Sequence, residues 1–479
     1  MQQRTTPETA KQVTYRADPS FVHKLNDKSE TLKYCYQCGA CTSVCPISKF
    51  IGVYKPSKII QLARLGIRNM PHSNAFLFCS ACQLCTKGCP QGVQIHEAMQ
   101  GLKDVEAADP AILQSMGFDD VLDSLAESMP FPVSYTWLCL RPTDKDAFGV
   151  SVKKSFDRIL ARPLPEKAKP GQGAKKAAVI GSGPAGLTIA WELAKAGMGV
   201  TVYEALPELG GMLRTGIPEY RLPKSILDSE IGRIQGLDVE MKTGTRVDKR
   251  LFEEIVGNAD YVFISTGAYA SRSLRVGGAD LPGVIPAIEL LQEYNITGAA
   301  AVGKKVVVIG GGNVATDAAG AALRCGAESV RLFCLEDRDG MPAHKWEISE
   351  IEEDGVEVNP AWGPKTILGD GKVTGVEFIK CKSVLDDDGN FSPVYDERVT
   401  QTVEADTVIT AIGQSPDLDF LGKGVQTERG TVVADPYTQK TALSGVYAGG
   451  DAVLGTASLI EAIFAGSTAA KSIIQGMKG

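Results

Sequence analysis

Hydrophobic positions follow two different patterns along the 479-residue chain. Up to about residue 170 they recur at helical spacing, as in YKPSKIIQLARLG, FDDVLDSLAES and VKKSFDRILA. From about residue 173 they form short continuous runs, such as 177–180 and 304–309, each followed by glycines and then by a helical pattern. Short apolar strands that alternate with helices are typical of parallel sheets. The pattern therefore predicts a helical first part and a larger α/β part.

One helix of the first part has recognisable ends. Proline is favoured in the first turn of a helix and glycine just past its end, so Pro56 and Gly66 mark its limits. Ile59, Leu62 and Ala63 form an apolar stripe between them. A later apolar run, YTWLCL, fits either a buried strand or a partner-facing patch, and we expect core packing.

Eight of the 12 cysteines lie in two runs with the spacing C-x2-C-x2-C-x3-C-P. Disulfide frameworks are typical of small secreted chains, so a metal explains these runs better. The spacing is that of bacterial two-cluster ferredoxins, in which the fourth cysteine of each run binds the other cluster. The predicted ligands are Cys35, Cys38, Cys41 and Cys89 for cluster one, and Cys79, Cys82, Cys85 and Cys45 for cluster two.

Zinc is the alternative metal, because four thiolates also form a closed structural zinc site. Zinc ribbons tend to use two C-x2-C pairs separated by a loop, whereas these runs each have four cysteines and end in Cys-Pro. The helical pattern between the runs favours a helical ferredoxin domain over the compact β-hairpin kind. We therefore predict two [4Fe-4S] clusters.

The run AAVIGSGPAGLTIAWELAKAGMGVTVYE combines a strand, a G-x-G-x-x-G loop, a helix and a second strand that ends in an acid. Gly181 allows a tight turn, Gly183 lets the backbone approach a pyrophosphate, and Gly186 allows close helix–strand contact. The helix N-terminus favours the phosphates, and Glu204 is placed to bind an adenosine ribose. The predicted site comprises Gly181, Ser182, Gly183, Pro184, Ala185, Gly186 and Glu204.

The same pattern returns at KKVVVIGGGNVATDAAGAALRCG, where alanine takes the third glycine position. Two such loops in one chain predict a two-dinucleotide flavoprotein, with FAD in the first site and a nicotinamide nucleotide in the second. The second loop comprises Gly310, Gly311, Gly312, Asn313, Val314 and Ala315.

A third stretch, GVYAGGD, places Gly450 and Asp451 after a short strand and ahead of a helix. Asp451 is placed to accept a hydrogen bond from the ribityl chain of a flavin, and the positive end of the helix favours the reduced flavin. The run TAIGQSPD predicts a glycine turn at a strand end, where the two nucleotide domains should meet.

Charge and hydropathy limit the expected partners. The 50 Lys and Arg residues oppose 57 Asp and Glu residues, giving a net charge of −7, and no lysine- or arginine-rich run marks a nucleic-acid site. No apolar run is long enough to span a membrane, and the first residues lack the apolar stretch of a signal peptide. We expect a cytoplasmic protein with no nucleic-acid or membrane partner.

Three runs, LGGMLRTGIPEYRLPK (209–224), GMPAHKWE (340–347) and GVYAGGD (445–451), carry a family resemblance together with the two loops. From about residue 171 onward the chain resembles the glutamate synthase small-subunit family. It is also similar to the matching module of dihydropyrimidine dehydrogenase and to the flavoprotein subunit of electron-bifurcating Nfn- and Stn-type transhydrogenases. The two complete cysteine runs look more like the C subunit of heterodisulfide reductase, which implies a different partner for the front end.

The resemblance implies further site residues. FAD contacts fall on the first loop and Glu204 and on Gly211, Met212, Arg221, Val247, Gly450 and Asp451. Nicotinamide-nucleotide contacts fall on the second loop and on Ala411, Ile412 and Gly413. Arg221 and Lys224 are the charged candidates for tuning the flavin, and no residue is expected to act as an acid or base in hydride transfer.

The run CLEDRD bears on the choice of nucleotide. Many relatives carry two arginines where this chain has Leu335 and Glu336. An acid suits the free 2′-hydroxyl of NADH, whereas arginine suits the 2′-phosphate of NADPH. Arg338 is close enough in sequence to offer a cation. The local sequence favours NADH and the resemblance favours NADPH, so both remain open.

These observations predict an α/β protein with an N-terminal helical domain and two Rossmann-like dinucleotide-binding domains. A helical ferredoxin domain with two [4Fe-4S] clusters is expected at 1–100, followed by a helical connector and linker at 101–172. A discontinuous FAD-binding domain is expected at 173–295 and 405–479, with an NAD(P)H-binding domain inserted at 296–404.

The cofactors predict hydride transfer between NAD(P)H and FAD and single-electron transfer between FAD and the clusters. The other cysteines, Cys139, Cys325, Cys334 and Cys381, form no C-x-x-C pair, which argues against thioredoxin-reductase-like chemistry. Partner oxidoreductase subunits, or ferredoxin, should supply the acceptor. The leading hypothesis is a subunit of a bifurcating NADH/ferredoxin:NADP transhydrogenase. The alternatives are a glutamate synthase small subunit, a heterodisulfide-reductase-associated NAD(P)H oxidoreductase and a non-catalytic scaffold subunit.

Overall fold

The computed structural model describes residues 17–67, 73–106, 117–142, 146–169 and 175–477. The chain divides into two compact units, Met1–Arg162 and Pro163–Gly479. The helices of the predicted 101–172 connector therefore belong to the first unit, whereas the linker that follows them belongs to the second. Parts of that prediction, at 107–116, 143–145 and 170–172, lie outside the described residues.

The first unit is built from short helices. They are α1 (Pro19–Lys28), α2 (Ala40–Val44), α3 (Pro46–Phe50), α4 (Pro56–Arg64), α5 (Leu84–Lys87), α6 (Ile95–Glu106), α7 (Phe118–Ser128), α8 (Pro132–Leu140) and α9 (Ala147–Leu160), with 3₁₀ helices at Glu30–Tyr34 and Ser73–Phe78. The helix that begins at Pro56 is confirmed, and Gly66 lies just past its end with a φ of +68°. The YTWLCL run is buried in α8, so core packing is confirmed and the strand alternative is wrong.

A buried lysine ties several of these segments together. Lys103, on α6, is 8% exposed, and its ammonium group donates to the carbonyl oxygens of Cys79 (2.6 Å) and Cys139 (2.8 Å). The hydroxyl of Tyr135, on α8, donates to the carbonyl oxygen of Phe78 (2.5 Å). These side-chain bonds satisfy backbone carbonyls on the second cysteine run and on the buried helix α8.

The second unit contains the strands and the remaining helices. The strands are β1 (Lys176–Ile180), β2 (Gly199–Tyr203), β3 (Glu240–Lys242), β4 (Tyr261–Ile264), β5 (Ala270–Ser271), β6 (Val284–Pro286), β7 (Lys305–Ile309), β8 (Ser329–Phe333), β9 (Glu357–Asn359), β10 (Trp362–Gly369), β11 (Val373–Leu385), β12 (Phe391–Glu404), β13 (Thr407–Thr410), β14 (Gln414–Ser415), β15 (Thr427–Glu428), β16 (Thr431–Val432) and β17 (Val446–Ala448). The helices are α10 (Pro184–Lys195), α11 (Met212–Thr215), α12 (Lys224–Gln235), α13 (Lys249–Asn258), α14 (Ala287–Thr297), α15 (Asn313–Arg324), α16 (Lys345–Glu353), α17 (Asp451–Leu454) and α18 (Leu459–Gly476).

Two five-stranded parallel sheets form the centres of the two nucleotide domains. Their strand orders are β17-β4-β1-β2-β3 and β6-β13-β7-β8-β9. A three-stranded antiparallel sheet, β10-β11-β12, and two short antiparallel pairs, β14-β5 and β15-β16, complete the unit. Because β17 joins the first sheet after the chain has built the second, the first nucleotide domain is discontinuous.

The second sheet extends beyond the predicted 296–404 range at both ends. Strand β13 pairs in parallel with β7 on one side and with β6 on the other. Strands β6 and β13 have three and four residues, and neither leads directly into a G-x-G loop. The sequence predicts the strand end at Thr410 but does not indicate which sheet that strand joins. None of the described helices is both long enough and apolar enough to cross a membrane.

A buried ion-pair cluster connects the two nucleotide domains. Arg221, between α11 and α12, donates to Asp317 on α15 (2.7 Å) and to Glu347 on α16. The Tyr220 hydroxyl donates to the carbonyl oxygen of Asp317 (3.4 Å), and the guanidinium carbon of Arg324 lies 3.9 Å from the centre of the Tyr220 ring. Asp317 and Glu347 are both buried, so one guanidinium faces two buried carboxyl groups.

The ion-pair cluster contains more acid than base. Burial raises the pKa of Glu347 to about 7 and also raises the pKa of Asp317, although Arg221 opposes both shifts. The Oε2 atom of Glu347 is buried and has no hydrogen-bond partner among the described residues. A proton on Glu347 removes the excess negative charge, so we expect this carboxyl to hold a proton close to neutral pH.

Replacing Glu347 should change how stability depends on pH. The folded pKa of about 7 lies above the unfolded value of about 4.3, so between these values the folded state binds more protons than the unfolded state. The contribution of Glu347 to the free energy of unfolding therefore falls as pH rises through this window. We expect the wild type to lose about 2–3 kcal/mol relative to Glu347→Gln between pH 4.5 and 7, measured by urea unfolding. Glu353→Gln, on the exposed side of α16, is the control, and parallel curves for wild type and Glu347→Gln would contradict the prediction.

Replacing Lys103 should weaken the first unit. Methionine keeps most of the side-chain volume but leaves two buried carbonyl oxygens without their donor, which costs about 1–3 kcal/mol for each group. We expect Lys103→Met to lower the midpoint of thermal unfolding of the metal-loaded chain by roughly 5–10 °C. The measurement is anaerobic loss of visible absorbance on heating, with the exposed Lys154→Met as the control. An unchanged midpoint in Lys103→Met would show that water replaces the ammonium group without cost.

Candidate functional site

The first glycine loop connects β1 to α10. Gly181 has a φ of +101°, and a Cβ atom there would collide with the carbonyl oxygen of Ser265. A Cβ atom on Gly186 would collide with the carbonyl oxygen of Gly181. A Cβ atom on Gly183 would meet nothing within 4 Å, and this residue directly precedes α10. Gly181 and Gly186 therefore serve the packing of the loop, whereas Gly183 leaves open space at the helix N-terminus for a ligand.

Glu204 holds the first loop in place. Its Oε2 atom accepts hydrogen bonds from the backbone nitrogen (2.9 Å) and the hydroxyl (2.6 Å) of Ser182, and its Oε1 atom accepts one from Leu206 (2.8 Å). The backbone nitrogen of Gly210 also donates to the Ser182 hydroxyl (3.1 Å). A Cβ atom on Gly211 would lie 2.7 Å from the Cα of the loop's second glycine. Glu204, at the end of β2, and the turn at 209–211 therefore both contact the first glycine loop.

A second group of polar side chains lies near the same loop. The hydroxyls of Tyr269 and Thr215 are 3.0 Å apart, and the carboxyl groups of Glu204 and Asp451 are electrostatic neighbours of Tyr269. Burial raises the pKa of Asp451 to about 7. A Cβ atom on Gly450 would lie 3.0 Å from the first turn of α10. Sequence reasoning missed Thr215 and Tyr269, because neither lies in a loop whose spacing indicates a ligand.

The other residues that the resemblance assigned to FAD have different surroundings. Met212 begins α11, and Val247 packs in the hydrophobic core beside the first sheet. Lys224 donates to the carbonyl oxygens of Leu213 (3.0 Å) and of Ile217, and burial lowers its pKa to about 8. The guanidinium of Arg221 is bonded to the two carboxyl groups on α15 and α16 described above. A flavin-tuning role for Arg221 and Lys224 stays a prediction.

The second glycine loop repeats the geometry of the first. Gly310 has a φ of +144°, and a Cβ atom there would collide with the carbonyl oxygen of Ala411. A Cβ atom on Gly312 would meet nothing within 4 Å, and this residue directly precedes α15. Ala315 is fully buried, and its backbone nitrogen donates to the carbonyl oxygen of Gly312 (2.9 Å). Val314 is partly buried against the hydrophobic core that contains Ala315. Gly312 therefore leaves open space at the N-terminus of α15, as Gly183 does at the N-terminus of α10.

The GMPAHKWE run packs against the second loop. The backbone nitrogen of Ala343 donates to the carbonyl oxygen of Gly311 (2.9 Å), and that of His344 donates to the side-chain oxygen of Asn313 (3.2 Å). The rings of His344 and Trp346 are stacked with centres 4.1 Å apart. The run then continues into α16, which carries Glu347 of the ion-pair cluster.

The segment 411–413 borders the same loop. Ala411 and Ile412 are partly buried against the two cores that flank the second sheet, and Gly413 has a φ of +103°. The carbonyl oxygen of Gly413 accepts a hydrogen bond from the backbone nitrogen of Arg272 (3.0 Å). The exposed Arg272 side chain is therefore a cation beside this segment that sequence reasoning missed.

Glu336 and Arg338, two of the charged residues that follow β8, have different partners. The Oε2 atom of Glu336 lies 2.9 Å from the position that a Cβ atom would take on Gly311, so this carboxylate faces the second loop. Arg338 makes two hydrogen bonds to the carboxylate of Glu352 (2.6 and 2.5 Å). The acid is thus beside the nucleotide loop, whereas the guanidinium is paired with α16.

In the first unit, the thiols of the first cysteine run are electrostatic neighbours of one another. Cys41 has Cys35 and Cys38 as neighbours. Tyr36 hydrogen-bonds to Cys38 and also has Cys89 as a neighbour, although Cys89 belongs to the second run. Tyr36 therefore lies near one thiol of each run, Cys38 and Cys89.

The thiols of the second run have a similar arrangement. Cys85 has Cys79, Cys82 and Cys45 as electrostatic neighbours and, as the weakest of the four, Cys41 of the first run. Cys45 in turn has Cys79. The hydroxyl of Tyr54, which is fully buried, hydrogen-bonds to Cys79. Cys45, the last cysteine of the first run, is therefore close to the second run.

The donor set fits iron–sulfur chemistry. Burial, reinforced by the neighbouring thiols, raises the pKa of Cys41 to about 11 and also raises that of Cys85. Crowded thiols ionise only when a cation compensates their charge. Each thiolate of a [4Fe-4S] cluster binds a different iron atom, so the thiols need not converge on one point. Within the described ranges, no three His, Cys, Asp or Glu side chains are arranged to hold a single metal ion.

Two family models match the chain, each over one of these regions. Residues 175–469 match the pyridine nucleotide-disulphide oxidoreductase family, and residues 31–93 match the 4Fe-4S dicluster domain. The first match covers both nucleotide loops and the GVYAGGD run. The second covers all eight clustered cysteines.

Several curated proteins are similar to the chain. The NADPH-Fe(3+) oxidoreductase subunit beta of Geobacter sulfurreducens is 31% identical over 96% of this chain and 72% of the relative. The NADP(+)-dependent formate dehydrogenase subunit beta of Moorella thermoacetica is 41% identical over 64% of this chain, which spans 44% of that relative's length. A putative glutamate synthase [NADPH] small chain of Cereibacter sphaeroides is 36% identical over 62% of this chain and 75% of the relative.

A solved structure has the same fold over part of the chain. FprA from Mycobacterium tuberculosis superimposes with a TM-score of 0.56 over 64% of this chain and 85% of its own, at 19% identity. The predicted α/β fold with two dinucleotide-binding domains is confirmed, as is the resemblance to the glutamate synthase small subunit. The chain belongs to the pyridine nucleotide-disulphide oxidoreductase family.

Proposed function

We propose that this protein is the NAD(P)H-linked flavoprotein subunit of a multi-subunit oxidoreductase. The observation that carries the proposal is the repeated loop, in which Gly183 and Gly312 each leave open space at the N-terminus of a helix in the same compact unit. When bound, FAD exchanges a hydride with a nicotinamide nucleotide and single electrons with iron–sulfur clusters. The matched 4Fe-4S domain gives the chain both kinds of centre.

In this proposal the residues of the chain bind and orient the cofactors. The backbone N–H groups at the starts of α10 and α15 receive the two pyrophosphates. Glu204 holds the first loop and retains lone pairs for a ribose, while Asp451, Tyr269 and Thr215 border the flavin end. No side chain is required as an acid or base, because a hydride moves without a separate proton.

We assign two [4Fe-4S] clusters to the first unit. The neighbouring thiols support a first set of Cys35, Cys38, Cys41 and Cys89 and a second set of Cys79, Cys82, Cys85 and Cys45. The fully buried Tyr54 and Tyr135 exclude water on the side of the second set.

For the whole complex, we favour an electron-bifurcating NADH/ferredoxin:NADP transhydrogenase of the cytoplasm. The two complete cysteine runs support this choice over a glutamate synthase small subunit, which the Cereibacter relative keeps as the second candidate. Ferredoxin-coupled reduction of NADP⁺ by NADH in the native complex would support the first candidate. Conversion of glutamine and 2-oxoglutarate to glutamate would support the second. The partner subunits that co-purify would also separate both from a heterodisulfide-reductase association.

Two matched substitutions test the cofactor sites. The backbone at Gly183 and at Gly312 has negative φ, and a Cβ atom at either position meets open space, so valine should leave the fold intact. It would fill the place of a pyrophosphate. We expect Gly183→Val to lose FAD and Gly312→Val to keep FAD but to lose bleaching of the flavin band by NADPH or NADH. The measurement is anaerobic titration followed by visible spectroscopy and, for the clusters, by electron paramagnetic resonance.

The two variants serve as controls for each other, because each should spare the site that the other blocks. Circular dichroism and iron content should match the wild type in both. A wild-type protein that shows no flavin band after reconstitution with FAD would overturn the proposed function in favour of a non-catalytic scaffold subunit.

The nucleotide preference should depend on Glu336. The names of the curated relatives specify NADP(H), whereas the Glu336 carboxylate beside Gly311 disfavours a second negative charge there. We expect Glu336→Gln to raise the ratio of kcat/KM for NADPH to that for NADH by about tenfold, or about 1.4 kcal/mol. Asp339→Asn, an exposed neighbour with the same change of charge, should leave the ratio within about twofold. An unchanged ratio in Glu336→Gln would place the 2′-position away from this carboxylate.

A further inference from the structure

The two cysteine sets differ in their surroundings. Near the second set, Tyr54 and Tyr135 are 1% exposed and Lys103 is buried. In the first run, Cys38 is exposed, and the aromatic rings on either side of Cys35 are exposed as well: Tyr34 is 58% and Tyr36 is 57% exposed. Cys38 therefore opens the first set to solvent, whereas no cysteine of the second set is exposed, and we call the first set the outward set.

Exposed side chains surround the outward set. Tyr36 hydrogen-bonds to Cys38 and has Cys89 as an electrostatic neighbour. Val44, which is 40% exposed, lies 3.3 Å from the position of a Cβ atom on Gly88, next to Cys89. The ammonium of Lys33 lies 5.2 Å from the centre of the Tyr34 ring, and Lys87 is exposed beside Gly88. We call the exposed residues Lys33, Tyr34, Tyr36, Val44 and Lys87 the cluster-one rim.

The charge around the cysteines is strongly one-sided. Between residues 31 and 96 the sequence has five lysines and two arginines and no aspartate or glutamate. All five lysines, Lys33, Lys49, Lys55, Lys58 and Lys87, are exposed. The rest of the chain carries 43 basic and 57 acidic residues, so the cysteine-bearing segment is an exception. Two clusters with four thiolates each add a charge of about −2 apiece when oxidised, which the seven cations exceed.

We infer that the cluster-one rim is the docking surface for an acidic electron-carrier protein. This inference rests on the proposed function, because the partner exchanges electrons with the outward cluster. Exposed tyrosines beside a metal site provide apolar contact with a polar end, and lysines around them steer an acidic partner into position. Electron-carrier complexes are small and short-lived, so a few aromatic contacts inside a ring of charge are sufficient.

The test uses the full chain loaded with FAD and iron–sulfur clusters, under anaerobic conditions. The probe is an acidic plant-type [2Fe-2S] ferredoxin, and basic mitochondrial cytochrome c is the probe of opposite charge. Binding is measured by isothermal titration calorimetry at low and high salt. We expect the wild type to bind the ferredoxin but not the cytochrome, with an affinity that falls as salt is added.

Charge substitutions identify the surface. We expect Lys33→Glu/Lys87→Glu to weaken ferredoxin binding about tenfold or more, and Lys33→Gln/Lys87→Gln to weaken it less, because it removes half as much charge. Lys154→Glu, exposed on α9 where no clustered cysteine lies, should bind within about twofold of the wild type. Unchanged iron content in all variants would show that the clusters are intact.

Several results would overturn the docking surface. They are no ferredoxin binding by the wild type, equal binding by Lys33→Glu/Lys87→Glu, or binding of cytochrome c in place of ferredoxin. Two further outcomes would assign the surface to another occupant, provided that no ferredoxin binds. They are binding of a single-stranded RNA probe and self-association in sedimentation, if either is lost in Lys33→Glu/Lys87→Glu. Bleaching of the flavin by NADPH or NADH reports separately on the proposed function. Intact bleaching of the flavin without ferredoxin binding refutes only the docking surface. Ferredoxin binding without bleaching of the flavin refutes only the proposed function.

Discussion

The two nucleotide domains meet where one partly buried guanidinium faces two buried carboxyl groups. Removing Arg221 would leave the buried Asp317 and Glu347 without the cation that hydrogen-bonds to both, which costs more than an exposed ion pair contributes. The contact joins two of the runs that carry the family resemblance, since Arg221 belongs to GIPEYRLPK and Glu347 to GMPAHKWE. The two runs therefore contact each other across the boundary between the nucleotide domains. Part of the reason that the family resemblance lies in them is that this contact requires particular charged side chains.

This ion-pair cluster is mechanically connected to the nicotinamide-nucleotide loop at two points. Asp317 lies on α15, which begins at the second glycine loop, and Glu347 lies on α16, which continues from the run that hydrogen-bonds to Gly311 and Asn313. On the other side, Arg221 lies between α11 and α12 in the first nucleotide domain. Helices α15 and α16 of the second nucleotide domain are thus bonded to the first domain through Arg221. This contact fixes the position of one glycine loop relative to the other. A hydride donor and acceptor require such a fixed arrangement of their two sites, because the reacting atoms must approach closely in a fixed orientation.

Local signals predicted most of this architecture, and tertiary contacts account for what they missed. The strands before both glycine loops, the helix at Phe118–Ser128 and the short strand at Val446–Ala448 all have strong patterns next to glycine or at helical spacing. Strands β6 and β13 have only three and four residues, so periodicity could not assign them to a sheet. The apolar run in α8 is buried except at Leu138 and Leu140, so periodicity could not distinguish helix from strand there. The partners of Arg221 lie 96 and 126 residues away along the chain, and no single-sequence pattern links them.

Charge compensation in the first unit follows a rule that spacing alone does not reveal. The carbonyl oxygen of the first cysteine in each run accepts a hydrogen bond from a cation: Cys35 from Arg64 (2.5 Å) and Cys79 from Lys103 (2.6 Å). A fixed positive charge beside a thiolate cage favours the reduced, more negative cluster, and so does hydrogen bonding to its sulfur atoms. Each proposed set therefore has one such cation. Cys38, in the first set, is exposed, whereas the other seven clustered cysteines are partly or fully buried. If each proposed set holds a cluster, this backbone-bound cation is common to both, and the exposure of Cys38 is a feature in which their surroundings differ.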